Sequence, residues 1–171
     1  MWKFVSDQLD NAELLATTGS TRPRQAALRR AVSTAYYALF QALCELAASQ
    51  LVGWKQPWEA FTPIYRSLDH GHARTVLTET RGKRHALGEA VEKVGIAFRE
   101  LQDAREWADY NPEPHPDPEK ALADVRFSRQ DALELIQIAR QALLSLDALD
   151  DHAKLRLATL LVARRRKETR R

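Results

Sequence analysis

Between residues 29 and 46 the chain carries two helical periodicities at once. Val32, Tyr36, Leu39, Leu43 and Leu46 recur at steps of three or four, the spacing that places side chains on one face of an α-helix. Ala31, Ala35, Ala38 and Ala42 form a second line of small side chains, along which another backbone can come close. The helix they specify runs from about 22 to 51 and spans roughly 45 Å at 1.5 Å per residue, enough to cross a whole domain. Ser33 and the adjacent Tyr36 and Tyr37 add hydroxyls to this otherwise apolar helix. Such a tyrosine pair serves either as core with its hydroxyls at the rim or as part of a polar site.

The rest of the chain agrees with a helical fold. Its 171 residues suit one domain with a buried core, and 26 Ala and 23 Leu against 6 Gly favour helix throughout. No stretch alternates apolar and polar residues for long enough to specify a strand. Trp2, Val5, Leu9, Ala12 and Ala16 predict a first helix over 2–17, which Gly19 stops. Ser20 or Thr21 caps the long second helix, with Pro23 in its first turn. Residues 52–85 are less regular, with one or two short helices expected near 57–68 and 72–79 and a basic, exposed turn at 81–85. A helix over 86–109 follows, with Leu87, Val91, Val94, Phe98 and Leu101 on its apolar stripe. Four prolines within 112–118 make an extended surface strap. Ser128 and Asp131 form a capping box for a helix ending near 147, and a last helix covers 151–166. These spacings divide the chain into a helical body, 1–148, and a C-terminal helix with a basic tail, 149–171.

Charge is unevenly placed. Residues 164–171 hold six basic groups and one acidic, so that the remaining 163 residues sum to −2 although the chain as a whole is +3. The tail suits phosphates or an acidic partner, or is a solvated helix end whose cations complement the helix dipole. Cys44 is the only cysteine, which excludes an internal disulfide and assigns it to packing. Neither a signal-peptide run nor a membrane-length apolar segment is present, so a cytoplasmic protein without membrane association is expected.

The chemistry-bearing residues fall into two groups. Projecting the apolar stripe of the 86–109 helix forward lands on Arg105. A desolvated guanidinium without a partner costs several kcal/mol, so Arg105 either meets a counter-charge, with Asp109 one turn on as the nearest, or snorkels to solvent. Arg105, Asp109 and Tyr110 together offer a cation for phosphate, a carboxylate to orient it and a phenol. The second group is Arg66, His70 and His72, an arginine and two imidazoles able to serve as acid and base in phosphodiester cleavage. Neither a Gly-rich phosphate loop nor a zinc-type Cys/His spacing occurs, and no metal or cofactor is expected.

Two of these stretches carry a resemblance. Arg30-Ala31-Val32-Ser33-Thr34-Ala35-Tyr36-Tyr37-Ala38-Leu39-Phe40, followed by Arg105 and Ala108-Asp109-Tyr110, resembles the HEPN superfamily, and most closely its small stand-alone members. The resemblance implies an antiparallel up-and-down bundle of four to five long helices, here with a C-terminal helical extension, that forms a homodimer and holds RNA or a nucleotide. Many members are metal-independent ribonucleases with an arginine and a histidine separated by four to six intervening residues. Many are toxins encoded beside a nucleotidyltransferase antitoxin. After Arg105 that histidine is absent, since positions 110, 111 and 112 are Tyr, Asn and Pro, whereas Arg66 and His72 do have the spacing. The expectation is therefore a binding module whose cleft is formed by Arg105, Asp109, Tyr110, Ser33 and Tyr37. A ribonuclease working through Arg66, His70 and His72, and a protein-interaction module that binds a nucleotidyltransferase, are the alternatives.

Overall fold

The computed structural model describes residues 3–18, 24–81, 84–111 and 126–163. It is all-α apart from one two-residue ladder. Helices α1 (Lys3–Thr17), α2 (Gln25–Leu51), α3 (Trp58–Tyr65), α4 (His70–Thr78), α5 (Glu89–Tyr110), α6 (Arg129–Asp147) and α7 (Asp151–Val162) follow in order, with β1 (Thr80–Arg81) and β2 (Arg84–His85) between α4 and α5. The linker stops before α2, the proline strap and the basic tail lie outside the described residues. Among the described residues no helix is long and apolar enough to cross a membrane.

Two compact units make up the chain: Met1–Leu39 with Ala97–Ala142, and Phe40–Ile96 with Leu143–Arg171. In the first unit, Val5, Leu9, Ala12 and Ala16 of α1 are buried together with the first part of both periodic lines of α2: Ala31, Val32, Ala35, Tyr36, Ala38 and Leu39. Phe98 and Leu101 of α5 and Ile136 and Ala139 of α6 complete this core. Arg140 ties α6 to α1 through Asp10 at 2.8 Å and Glu13 at 3.0 Å. The Ser128 and Asp131 capping box forms as expected, with Ser128 N donating to Asp131 Oδ2 at 2.7 Å and Asp131 N to Ser128 Oγ at 3.1 Å.

The second unit buries Leu43, Cys44 and Leu46 of α2, Phe61, Leu77, Val91, Val94, Leu146, Leu157 and Leu161. Asp69 caps α4 and Asp150 caps α7, each accepting from a backbone N–H three residues on. The Cys44 thiol is pushed up to about 12 by burial, which makes it packing rather than a nucleophile. Helices α4 and α5 meet at Gly95, where a Cβ would lie 2.1 Å from the Leu77 carbonyl oxygen.

Three expectations are corrected here. The described ends of the basic stretch 81–85 are not free: Thr80 pairs with His85 and Arg81 with Arg84, and the His85 ring is buried. Its Nε2 donates to the Val76 carbonyl at 2.9 Å while Nδ1 accepts from Leu87 N–H at 3.0 Å, so the imidazole stitches the ladder to α4. Two-residue strands are too short to leave an alternating pattern, and the anchor is a histidine rather than an apolar side chain. Secondly, α5 begins at Glu89, not 86, because Gly88 takes a φ of 94° after a turn closed by its N–H on the His85 carbonyl. Leu87 therefore precedes the helix instead of opening its stripe. Thirdly, the two short helices are present with shifted bounds: α3 stops at Tyr65 rather than near 68 and α4 starts at His70 rather than 72, with Arg66 outside both.

Candidate functional site

The first unit holds a polar row built on one face of α2. Gln25, Arg29, Ser33 and Tyr37 are four residues apart, so their side chains stack along the helix, each just over one turn from the next. Each reaches a partner beyond α2. Gln25 makes a two-way amide contact with the backbone of Phe127, donating to its carbonyl at 2.6 Å and accepting from its N–H at 3.1 Å. Arg29 Nη1 donates to the Asn111 carbonyl at 2.6 Å. The Ser33 hydroxyl donates to Asp109 Oδ1 in a very short hydrogen bond, and the Tyr37 hydroxyl accepts from Arg105 Nη2 at 2.6 Å. Ascending α2 from 29 to 37 thus descends from Asn111, just past the end of α5, to Arg105 within it, as two antiparallel helices in register require.

Arg105 is the centre of the row. Its side chain is only 18 % exposed. Nε stands 2.8 Å from Asp109 Oδ2, but its N–H is not aligned on that oxygen, so the pair is Coulombic rather than a directed hydrogen bond. Three phenol rings surround the guanidinium, with Cζ 5.9 Å from the Tyr36 centroid, 5.3 Å from Tyr37 and 5.1 Å from Tyr110, all within cation–π range. Burial alone works against the positive charge. The Tyr37 hydroxyl and the Asp109 carboxylate outweigh it, and the Arg105 pKa moves upward. Among the described residues Nη1 makes no hydrogen bond, so two N–H donors of a fixed, permanent cation are uncommitted there.

The supporting residues are placed by burial. Tyr36 is 1 % exposed and packs on Phe98 with ring centroids 5.4 Å apart, which makes it the floor beneath the guanidinium. Ser33 is buried as well, so the Asp109 carboxylate is oriented from inside the unit. Tyr110 is 71 % exposed and reaches Arg105 Nη2 with its hydroxyl at 3.3 Å. The structure thus brings together all five residues named for the cleft: Arg105, Asp109, Tyr110, Ser33 and Tyr37. It also adds Gln25 and Arg29, which sequence reasoning passed over. Their signal was the four-residue step through Ser33 and Tyr37, visible only when polar rather than apolar positions are followed along α2.

Arg66, His70 and His72 belong to the second unit and are employed differently. The His70 ring stacks on Phe40 at 3.9 Å. His72 Nε2 lies 3.0 Å from the Leu160 carbonyl, which joins α4 to α7, and its backbone N–H donates to Asp69. Arg66 is the exposed C-cap of α3, and among the described residues its side chain bonds neither imidazole. Among the described residues no group of three or more His, Cys, Asp or Glu side chains is placed to hold a metal ion. No protein-family model, no curated protein and no solved structure matches this chain.

Proposed function

We propose that this chain is a HEPN-like module that binds RNA or a nucleotide through its phosphate at Arg105. The observation that carries the reading is the state of that guanidinium: sunk among three phenols, held at Nη2 by Tyr37 and at Nε by Asp109, with Nη1 uncommitted among the described residues. A structural arginine needs its charge neutralised, which Asp109 alone accomplishes. Tyr37 adds a fixed orientation, and a preoriented fork of N–H donors is what phosphate recognition uses. The resemblance extends the proposal to a homodimer and to a nucleotidyltransferase partner within a toxin–antitoxin or defence system. Binding without cleavage is favoured over the ribonuclease reading because the His70 and His72 rings are both engaged in packing their own unit.

The test is fluorescence anisotropy with a single-stranded RNA oligonucleotide across a salt series in EDTA. Affinity is expected to fall steeply as salt rises and the RNA to stay intact. Arg105→Ala is expected to remove binding while the helical circular-dichroism signal is retained. Degradation of the RNA in EDTA would transfer the function to a metal-independent ribonuclease. Absence of binding at low salt would leave the protein-interaction reading.

A further inference from the structure

Tyr110 is the outermost member of the Arg105 cluster. It is the last residue of α5 and mostly exposed, yet its ring lies against the guanidinium and its hydroxyl meets Nη2. Its two neighbours on that nitrogen differ. Tyr37 accepts from Nη2 at 2.6 Å out of a part-buried position, whereas Tyr110 accepts at 3.3 Å, the long end of the hydrogen-bond range. An exposed side chain turns between rotamers in picoseconds to nanoseconds. Of the groups around Arg105, the Tyr110 hydroxyl is therefore the one an incoming acceptor replaces at least cost. Displacing Tyr37 would take a part-buried hydroxyl oxygen off the guanidinium it accepts from, and displacing Asp109 would uncouple it from Ser33.

We propose that Tyr110 sets the ligand specificity of this site, selecting molecules that join a phosphate to a planar base over phosphate alone. The inference rests on the reading of Arg105 as the phosphate-holding group. A phosphate oxygen replaces the Tyr110 hydroxyl on Nη2 while a second oxygen meets Nη1, the bidentate pattern a guanidinium matches. The phenol so released keeps an open aromatic face at the edge of the site, and a base attached to the phosphate stacks on it. Trp107, also exposed, lies three residues back on α5, the spacing of neighbours on one helix face, and widens the aromatic surface. Bare phosphate gains only the guanidinium; a nucleotide gains the stack as well.

Isothermal titration of inorganic phosphate and of adenosine monophosphate into wild type, Tyr110→Ala and Tyr110→Phe tests this. Base–aromatic stacking of ordinary strength corresponds to a nucleotide preference of roughly five- to 150-fold in the wild type. Tyr110→Ala is expected to bring the two ligands to within about twofold of each other, since it deletes the stack that only the nucleotide gains, while loss of the displaced hydroxyl acts on both ligands alike. Tyr110→Phe is expected to keep the preference, because the ring remains. An unchanged preference in Tyr110→Ala overturns the inference while leaving Arg105 as an anion site. Equal weakening of both ligands also overturns it, since that is what a structural role predicts. If the wild type binds neither ligand, the inference and the reading beneath it fall together.

Discussion

Arg29 Nη1 donates to the carbonyl of Asn111 at 2.6 Å, and this contact fixes where α5 ends relative to α2. The last carbonyls of a helix have no partner within it, and a cation there both satisfies them and complements the helix dipole. Asn111 directly follows Tyr110, so the same contact holds the frame on which Asp109 and Tyr110 stand. One helical turn along α2, Ser33 orients Asp109; another turn along, Tyr37 orients Arg105. The candidate site is thus assembled by a helix pairing, each rung of which is a polar contact.

Ser33→Ala should destabilise the protein by about 1–2 kcal/mol, because it leaves a carboxylate oxygen of Asp109 without its inside donor. For a chain of this length that corresponds to a melting-temperature drop of roughly 2–8 °C in a thermal scan followed by circular dichroism. The double variant with Asp109→Asn should lose less than the sum of the two single variants. Strict additivity would show that the short Ser33–Asp109 contact carries no coupling.

Gly95→Ala tests the packing of the second unit through the sign of its effect. In an ordinary exposed helix position the change stabilises by up to about 1 kcal/mol. Here the added methyl would meet the Leu77 carbonyl, a backbone atom that moves only with α4. Overpacking of this kind costs about 1–3 kcal/mol, so the melting temperature should fall rather than rise. A rise would mean that α4 and α5 separate easily at that point.

Glu45 supplies a pH prediction. It sits on α2 between the buried Cys44 and Leu46, and burial raises its carboxyl above the ordinary value of 4.5. The folded state then holds the proton more tightly than the unfolded one. Below the ordinary carboxylate value both states are protonated and Glu45 has no cost; as pH rises through the raised folded value the carboxyl must ionise in a half-buried place, and stability is lost. Glu45→Gln should therefore stabilise the protein at pH 7, with the advantage shrinking toward zero as pH is lowered past the carboxylate range. Urea denaturation of both proteins at several pH values reads this out. An advantage independent of pH would assign the effect to something other than ionisation.

Arg105 shows how far the residues could be read alone. Its position on an apolar stripe required either a partner or a route to water, and the four-residue step to Asp109 named the partner. Its contact with Tyr37 joins residues 68 positions apart, and no periodicity reports which turn of one helix faces which turn of another. Arg29 and Gln25 were missed because only the apolar positions of α2 were followed, and their partners Asn111 and Phe127 lie 82 and 102 positions away. His85 was missed because a buried histidine that bonds two backbone groups has the sequence appearance of a loop residue.

By itself the sequence determined the long helices, the Ser128 and Asp131 cap of α6 and the buried faces, because these depend on spacings within about one or two turns and on local propensity. Val5, Leu9, Val32, Leu39, Phe98 and Ile136 are buried as their periodicity requires. Tertiary structure alone decided the register between α2 and α5, and with it which hydroxyl meets the guanidinium. That register comes from packing and hydrogen-bond partners far apart in the chain, whose energies exist only once the backbones are side by side.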